Sequence, residues 1–565
     1  MATSRLKKLA AYLRPHWRMV LFGIVALFVV NAVSVYIPSL IRDSIDELSN
    51  NFSFQDLSGY AVLLLVLASL MWLIRMLSRI LIFGIGRKVE FDIKQRIFRH
   101  LLSLEPGYFA INTSGDLMNR STSDVDNIRR LLGFALLSSI NIVFAYGLTF
   151  PAMLAISGRL TLIAIGIYPL MIITVRLFSG KLQQFQRNVQ EKLSALSELI
   201  QEDISGMALI KIYAQETQER KAFKQRNQQL LSANLSLART RNLLFPLVEG
   251  LSYLSLLLLL WFGTGAIASG EITVGDFVAL LLYLERLVFP TALLGFTITT
   301  YQRGEVSIDR IEAILSAEAK VRNSPEAVYL PLEQVDGKIT FRNLTYTYPG
   351  SNTPALKNIN FTIYPGETVA IVGSIGAGKS TLANLIPRLL EVRSGQLFLD
   401  DYDVTQLRLQ DLRRAIAYVP QDSFLFSTTI KNNIRYGEPL SESLEVKYAA
   451  KKAQIHPEII NFPQKYETIV GERGITLSGG QRQRTSLARA LLIEAPILIL
   501  DDALSSVDNQ TATQILSNLS TERDKKTVIF ISHQLSAAAT ADRLLVMEQG
   551  QIVQTGTHQE IVETT

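Results

Sequence analysis

The residues best placed to do chemistry lie in the second half of the chain. Gly373-Ser-Ile-Gly-Ala-Gly378-Lys379-Ser380 directly follows the apolar run Thr368–Val372 and opens a helical pattern. Glycines at this spacing let backbone N–H groups face an anion, and the helix N-terminus adds positive potential. Gly373, Ser374, Gly376, Ala377 and Gly378, with Thr381 in the first helical turn, form a candidate phosphate cradle. Lys379 would reach the β- and γ-phosphates of a nucleoside triphosphate, and Ser380 would ligate Mg²⁺. A second apolar run, Ile497-Leu-Ile-Leu500, ends in Asp501 and Asp502. A carboxylate at the end of a buried strand beside such a loop is the partner a bound Mg²⁺ needs, and Asp501 suits that role.

Two kinds of element must position these residues. From about Lys338 onward, strand-like runs (Ile339–Tyr348, Thr368–Val372, Ile497–Leu500, Thr527–Ile531) alternate with helical ones, as in a nucleotide-binding α/β domain. The first 300 positions differ. Six apolar stretches, at roughly 17–40, 57–83, 131–155, 159–178, 243–268 and 272–300, are each long enough to cross about 30 Å of hydrocarbon. The first is too long for a secretory h-region and has no small-residue cleavage site after it, so it reads as a retained span. Connections after spans one, three and five are short; those after spans two and four are long, with eight basic residues in 84–130 and eleven in 176–241. The short ones hold only Arg42 and Arg159. The positive-inside rule therefore places the N-terminus, both long loops and the C-terminal half in the cytoplasm. Arg87–Leu104 and Gln183–Asn234 keep helical spacing without proline, so the spans are expected to continue far below the membrane. Breaks are expected at Pro106–Gly107 and Gly115, and at Gly206.

Composition agrees with two halves in different solvents. The 565 residues carry 56 Lys+Arg against 50 Asp+Glu, a net +6, and 48% are hydrophobic. That length exceeds one hydrophobic core. With no cysteine, disulfides, zinc–thiolate sites, iron–sulfur clusters and cysteine nucleophiles are excluded. Basic residues sit on the cytoplasmic flanks of the spans, where they set topology, so no nucleic-acid partner is expected.

Between the two chemical runs lies Leu477-Ser478-Gly479-Gly480-Gln481. With this pentapeptide the sequence resembles an exporter-type ABC transporter, and the resemblance covers nearly the whole chain. It implies a six-span α-helical transmembrane domain followed by an α/β P-loop ABC nucleotide-binding domain. The boundaries are 1–316 for the membrane domain, 317–336 for a linker and 337–565 for the ATP-binding domain. It implies ATP and Mg²⁺ as cofactors, with Ser380, Gln421 and Asp501 at the metal. In the family, the signature of one cassette closes on ATP held by another, so the chain is half of a dimer. Tyr348 falls where an aromatic stacks on adenine. Gln421 matches the Q-loop residue, Gly471–Gly474 a segment characteristic of exporters, Ser505–Asp508 the D-loop, and His533 the switch histidine. Phe109 with Ser114–Asp126, and Gly206–Tyr213, resemble the two intracellular loops whose tips dock on the cassettes.

One departure matters. The family usually has Glu after the metal Asp to polarise the attacking water; this chain has Asp502, one methylene shorter. A carboxylate drawn back by roughly 1 Å can cost ~10²-fold in rate. The resemblance then implies slow hydrolysis at this chain's own loop and favours a heterodimer whose other subunit keeps the Glu; a slow homodimeric lipid or peptide exporter is the alternative. The expected catalytic residues are Asp502, His533 and Gln421. The expected activity is ATP-driven export or flipping of a hydrophobic or amphiphilic substrate, such as drugs or lipids, across the inner or plasma membrane of a bacterium. Membrane lipids are further partners. An ATP-gated channel or regulator is disfavoured, because no regulatory insert is present. Within the spans, Arg75, Arg79, Glu249, Glu285 and Arg286 read either as snorkelling or inter-helix pairs or as a polar cavity lining.

Overall fold

The computed structural model describes residues 2–50, 54–521, 526–532 and 538–564. The chain divides into two compact units, one of residues 1–102 with 114–317, the other of residues 103–113 with 318–565.

The helices of the N-terminal half follow in order as α1 (Lys8–Leu48), α2 (Ser58–Leu101), α3 (Pro106–Ile111), α4 (Ser114–Ile156), α5 (Gly158–Ser205), α6 (Met207–Ile212), α7 (Glu216–Ala268) and α8 (Val274–Leu315). Six of these, all but α3 and α6, are long and apolar enough to cross a membrane. Spanning takes about 20 residues, whereas α2, α5 and α7 have 44, 48 and 53; the excess forms the expected extensions. The breaks fall where the chain stops favouring a helix. Pro106 starts α3, and Gly206 takes the C-cap of α5 at φ −92°, ψ 10°. Gly115, expected to mark a break, instead sits in the first turn of α4, and the break precedes it at Asn112–Thr113.

The extension of α2 exposes mostly charged residues, together with Phe91 and Phe98, and has an apolar seam on its inner face. Ile85, Val89, Ile93 and Ile97 recur every fourth residue, so they share one face, and each is at most 1% exposed. They pack with Ile128, Leu131 and Leu132 of α4 and with Ile308 and Ile311 of α8. Ile93→Ala removes a fully enclosed side chain and should cost about 2–5 kcal/mol, read as a lowered unfolding midpoint of the detergent-solubilised protein. Higher in α2 the apolar residues point outward: Val62, Leu65, Trp72 and Leu73 are exposed, a surface suited to hydrocarbon rather than water.

The second unit contains two sheets. β1 (Ile339–Tyr346), β2 (Leu356–Ile363), β4 (Leu397–Leu399) and β5 (Tyr402–Asp403) form an antiparallel sheet in the order β2-β1-β4-β5. β3 (Thr368–Gly373), β6 (Ile416–Val419), β7 (Ile497–Asp501), β8 (Thr527–Ile531), β9 (Arg543–Glu548) and β10 (Gln551–Gly556) form the other, ordered β10-β9-β3-β8-β7-β6. It is parallel except for β10. The run at Ile339 therefore belongs outside the parallel alternation. Its burial alternates along the strand, as a one-sided antiparallel strand does, whereas β7 and β8 are buried at every residue. Ile531 on β8 pairs with Ile371 of β3 on one side and Asp501 of β7 on the other. That register brings the ends of β3 and β7 to one edge of the sheet, where ligands of open α/β sheets bind.

Candidate nucleotide-binding site

The loop after β3 leads into α9 (Lys379–Leu385). Gly378 has φ +97°, a conformation open to glycine, and a Cβ there would lie 2.8 Å from the Ala355 carbonyl oxygen. Lys379 is 6% exposed and its Nζ donates to the carbonyl oxygens of Gly373 and Ser374, both at 2.8 Å. Burial holds its amino group below the usual lysine range, against the opposing charges of Asp502 and Asp501. The loop is thus a concave backbone cradle with a desolvated cation at its floor, fitted to a polyphosphate.

Ser380 Oγ donates to Asp501 Oδ1 at 2.8 Å, so the two residues expected at the metal meet directly. Hydroxyl and carboxylate oxygens are the hard donors that suit Mg²⁺, which takes few protein ligands alongside substrate phosphates. Burial pushes the Asp501 carboxyl above its ordinary range; hydrogen bonds from Ser380 and Tyr418 oppose this, and the neighbouring Asp502 adds to it.

Sequence reasoning missed Tyr418. Its hydroxyl lies 3.2 Å from Asp501 Oδ2 and 3.0 Å from Asn384 Oδ1, so one proton serves both oxygens. Burial, with the Asp501 charge next, drives its phenol far above the usual range, so it remains a donor. The only hint was a polar tip within the apolar run Ile416–Val419.

Tyr348 packs edge-on to Tyr346, with ring centroids 5.0 Å apart, and its hydroxyl is 3.0 Å from Thr381 Oγ1. That links the residue expected at adenine to the first turn of α9. Asp502 is in the left-handed region at φ +49°. Its N–H donates to Ile531 O at 3.1 Å and its carbonyl accepts from Ser505 Oγ at 3.0 Å. His533 lies outside the described residues.

The signature segment is built as a helix start. Ser478 caps α10 (Gly479–Leu492): its Oγ accepts from the Gln481 N–H at 3.2 Å, while the Gln481 side chain accepts from the Ser478 N–H at 2.9 Å. The N–H groups of Gly479 and Gly480 have no acceptor within the helix, which makes them anion donors. Gln483, a second residue that sequence reasoning passed over, fastens this helix to the Ser505–Asp508 loop. It donates to Ser505 Oγ at 2.9 Å and accepts from the Ser506 N–H at 2.8 Å. Gln421 does not meet Ser380 or Asp501 among the described residues. It lines a cleft of about 540 Å³ with Phe424, Arg473, Gly479, Gln483 and Ser506.

Two family models match the chain: that of the ABC transporter transmembrane region over residues 20–291, and that described as ABC transporter over residues 356–505. The chain is 34% identical to a probable multidrug resistance ABC transporter ATP-binding/permease protein, YheI, of Bacillus subtilis, over 99% of this chain and 95% of the relative. It is 33% identical to the multidrug resistance-like ATP-binding protein MdlA of Escherichia coli, over 98% and 94%. Identity to an ATP-dependent lipid A-core flippase of Syntrophus aciditrophicus is 32%, over 99% and 92%. A solved structure of a bacterial Atm1-family ABC exporter with ATP bound superposes with a TM-score of 0.76 at 26% identity, covering 98% of this chain and 97% of that one.

Proposed function

The chain belongs to the ABC transporter family, and from that membership we propose that it is the nucleotide-holding half of a heterodimeric exporter for a hydrophobic or amphiphilic substrate. It is a multi-pass inner-membrane protein with a cytoplasmic ATP-binding domain, and it couples ATP hydrolysis to transport. The relatives named for multidrug resistance and for lipid A flipping support drugs or lipids as the substrate class.

Asp502 is the observation that carries the asymmetry. Both ends of its backbone are tied, to Ile531 and Ser505, so its short side chain cannot be carried forward to make up the missing methylene. A base roughly 1 Å out of place can lose ~10²-fold in rate. The capping and glycines of Ser478–Gln481 are intact, which supports a role for this signature in completing a competent site on the partner. Exposed Leu209, Ile212 and Tyr213 at the α6 tip supply an apolar surface for that partner to cover. Purified with a partner half that has Glu after its metal Asp, the chain should hydrolyse ATP at least tenfold faster than alone. Vigorous transport-coupled hydrolysis by the chain alone contradicts the heterodimer.

At this chain's loop, Lys379 and the backbone of Gly373–Gly378 hold the phosphates, and Tyr348 takes the base. Ser380 and Asp501 would hold Mg²⁺, which would supply charge neutralisation to the bound phosphates. Tyr418 orients Asp501, and its hydrogen bond favours the ionised form of the carboxyl against the effect of burial. Because its hydrogen bond lowers the Asp501 pKa, Tyr418→Phe raises that pKa further. Protons then compete with Mg²⁺ up to higher pH. The Mg²⁺ concentration for half-maximal ATP binding should rise several-fold at pH 7, and more steeply than in the wild type as pH falls to 6. Titration with a fluorescent ATP analogue measures it; superimposable curves remove Tyr418 from the site.

A further inference from the structure

The charged residues in the spans do not pair as their order along the chain suggests. Glu285 and Arg286 are adjacent, yet α8 turns them to different neighbours. Glu285 acts electrostatically on Tyr253 of α7, whose hydroxyl donates to Glu249 Oε1 at 2.9 Å. Arg286 reaches α1 instead, where Nη2 donates to the Asn31 carbonyl oxygen at 3.1 Å and to Asn31 Oδ1 at 2.9 Å. Asn31 is 3% exposed and is held in turn: its Nδ2 donates to Leu27 O at 2.9 Å and to Asn141 Oδ1 of α4 at 3.1 Å. The guanidinium is thereby fixed in orientation, but Nη1 is enclosed and has no acceptor.

A second cation stands nearby. Arg75 of α2 acts electrostatically on Arg286. It is exposed, and its polar contact is the Met71 Sδ at 3.6 Å, a weak acceptor. Arg79 follows one turn on. Among the described residues, no carboxylate lies within ion-pair distance of Arg75, Arg79 or Arg286. Arg286 follows Val274 by 12 residues, about 18 Å along the helix axis and so near the middle of about 30 Å of hydrocarbon. An unneutralised guanidinium at that depth is costly and marks a functional site. A planar, two-pronged donor with one prong unused matches an oxyanion.

We propose that Arg286, oriented by Asn31 and Asn141 and assisted by Arg75, binds the anionic head group, a phosphate or a carboxylate, of an amphiphilic substrate. An oxyanion at Arg286 would give Nη1 the acceptor it lacks, and its charge would offset the repulsion between Arg286 and Arg75. The exposed Arg75 is the point of first contact. Asn31 and Asn141 act as positioning residues. This site rests on the exporter reading and deepens it.

The test is equilibrium binding to the co-purified transporter in a neutral detergent, followed by fluorescence anisotropy. The probes share one labelled acyl tail and end in a phosphate monoester, a carboxylate, a hydroxyl or a trimethylammonium group. The wild type should bind the phosphate or the carboxylate probe at least tenfold tighter than the hydroxyl probe, and the tighter of the two identifies a lipid-type or a carboxylate-type head group. Arg286→Gln should abolish that preference while binding the hydroxyl probe within twofold of wild type, which also shows the variant is folded. Arg75→Gln should lower it in part, and Arg286→Lys should restore some of it. A wild type without anion preference, or a preference that survives in the Arg75→Gln/Arg286→Gln double variant, overturns the site. The export reading fails separately, if no probe, neutral or charged, is moved by ATP in proteoliposomes.

Discussion

Gly480→Val should lower ATP hydrolysis by the assembled transporter by ~10²–10³-fold, the usual loss when a preorganised anion donor is removed, while ATP still binds at this chain's own loop. Gly480 is in the first turn of α10, and a Cβ there would lie 2.8 Å from the Ser506 carbonyl oxygen. The neighbouring loop cannot simply yield, because the Ser506 N–H is held by Gln483 Oε1 at 2.8 Å. A valine must therefore tilt the helix start and turn its free N–H groups away from the γ-phosphate they would meet on the partner. Measured as steady-state phosphate release and as binding of a fluorescent ATP analogue, the two readouts should separate. If both fall together, the signature serves the loop of its own chain; if neither falls, it serves no competent site.

Asp502→Glu should do the opposite and speed hydrolysis at this chain's loop, by up to ~10²-fold if position alone limits the rate. The substitution adds one methylene at a residue whose backbone conformation is set by contacts through its N–H and carbonyl, not its side chain. With the backbone held, the added methylene lengthens the reach of the carboxylate. Single-turnover hydrolysis with nucleotide prebound at this site isolates the effect from hydrolysis at the other site of the dimer. An unchanged rate means that geometry beyond Asp502 limits the site.

The glycine loop after β3 and the acid ending β7 were legible in the sequence because each is a local pattern, glycines between a strand and a helix and a carboxylate closing an apolar strand. The helical extensions were legible through their unbroken periodicity, and the seam Ile85, Val89, Ile93 and Ile97 bears that out. Tyr418 was not legible, since its contact with Asp501 exists only because β6 is placed beside β7, and strand order is not written in local pattern. The separation of Glu285 from Arg286 depends on the azimuth of one helix among three neighbours. Asn31 lies in an apolar run with no local signal, yet it orients a half-buried cation.

The proposed asymmetry has this chain holding its nucleotide while a partner subunit turns over. It is tested most directly by trapping the co-purified dimer with equimolar labelled ATP and Mg²⁺ and counting nucleotides per dimer after several partner turnovers. One intact ATP should be retained at this chain's loop, identified by photolabelling, for each dimer in which the partner site has released ADP. Equal loss of ATP from both loops would contradict it.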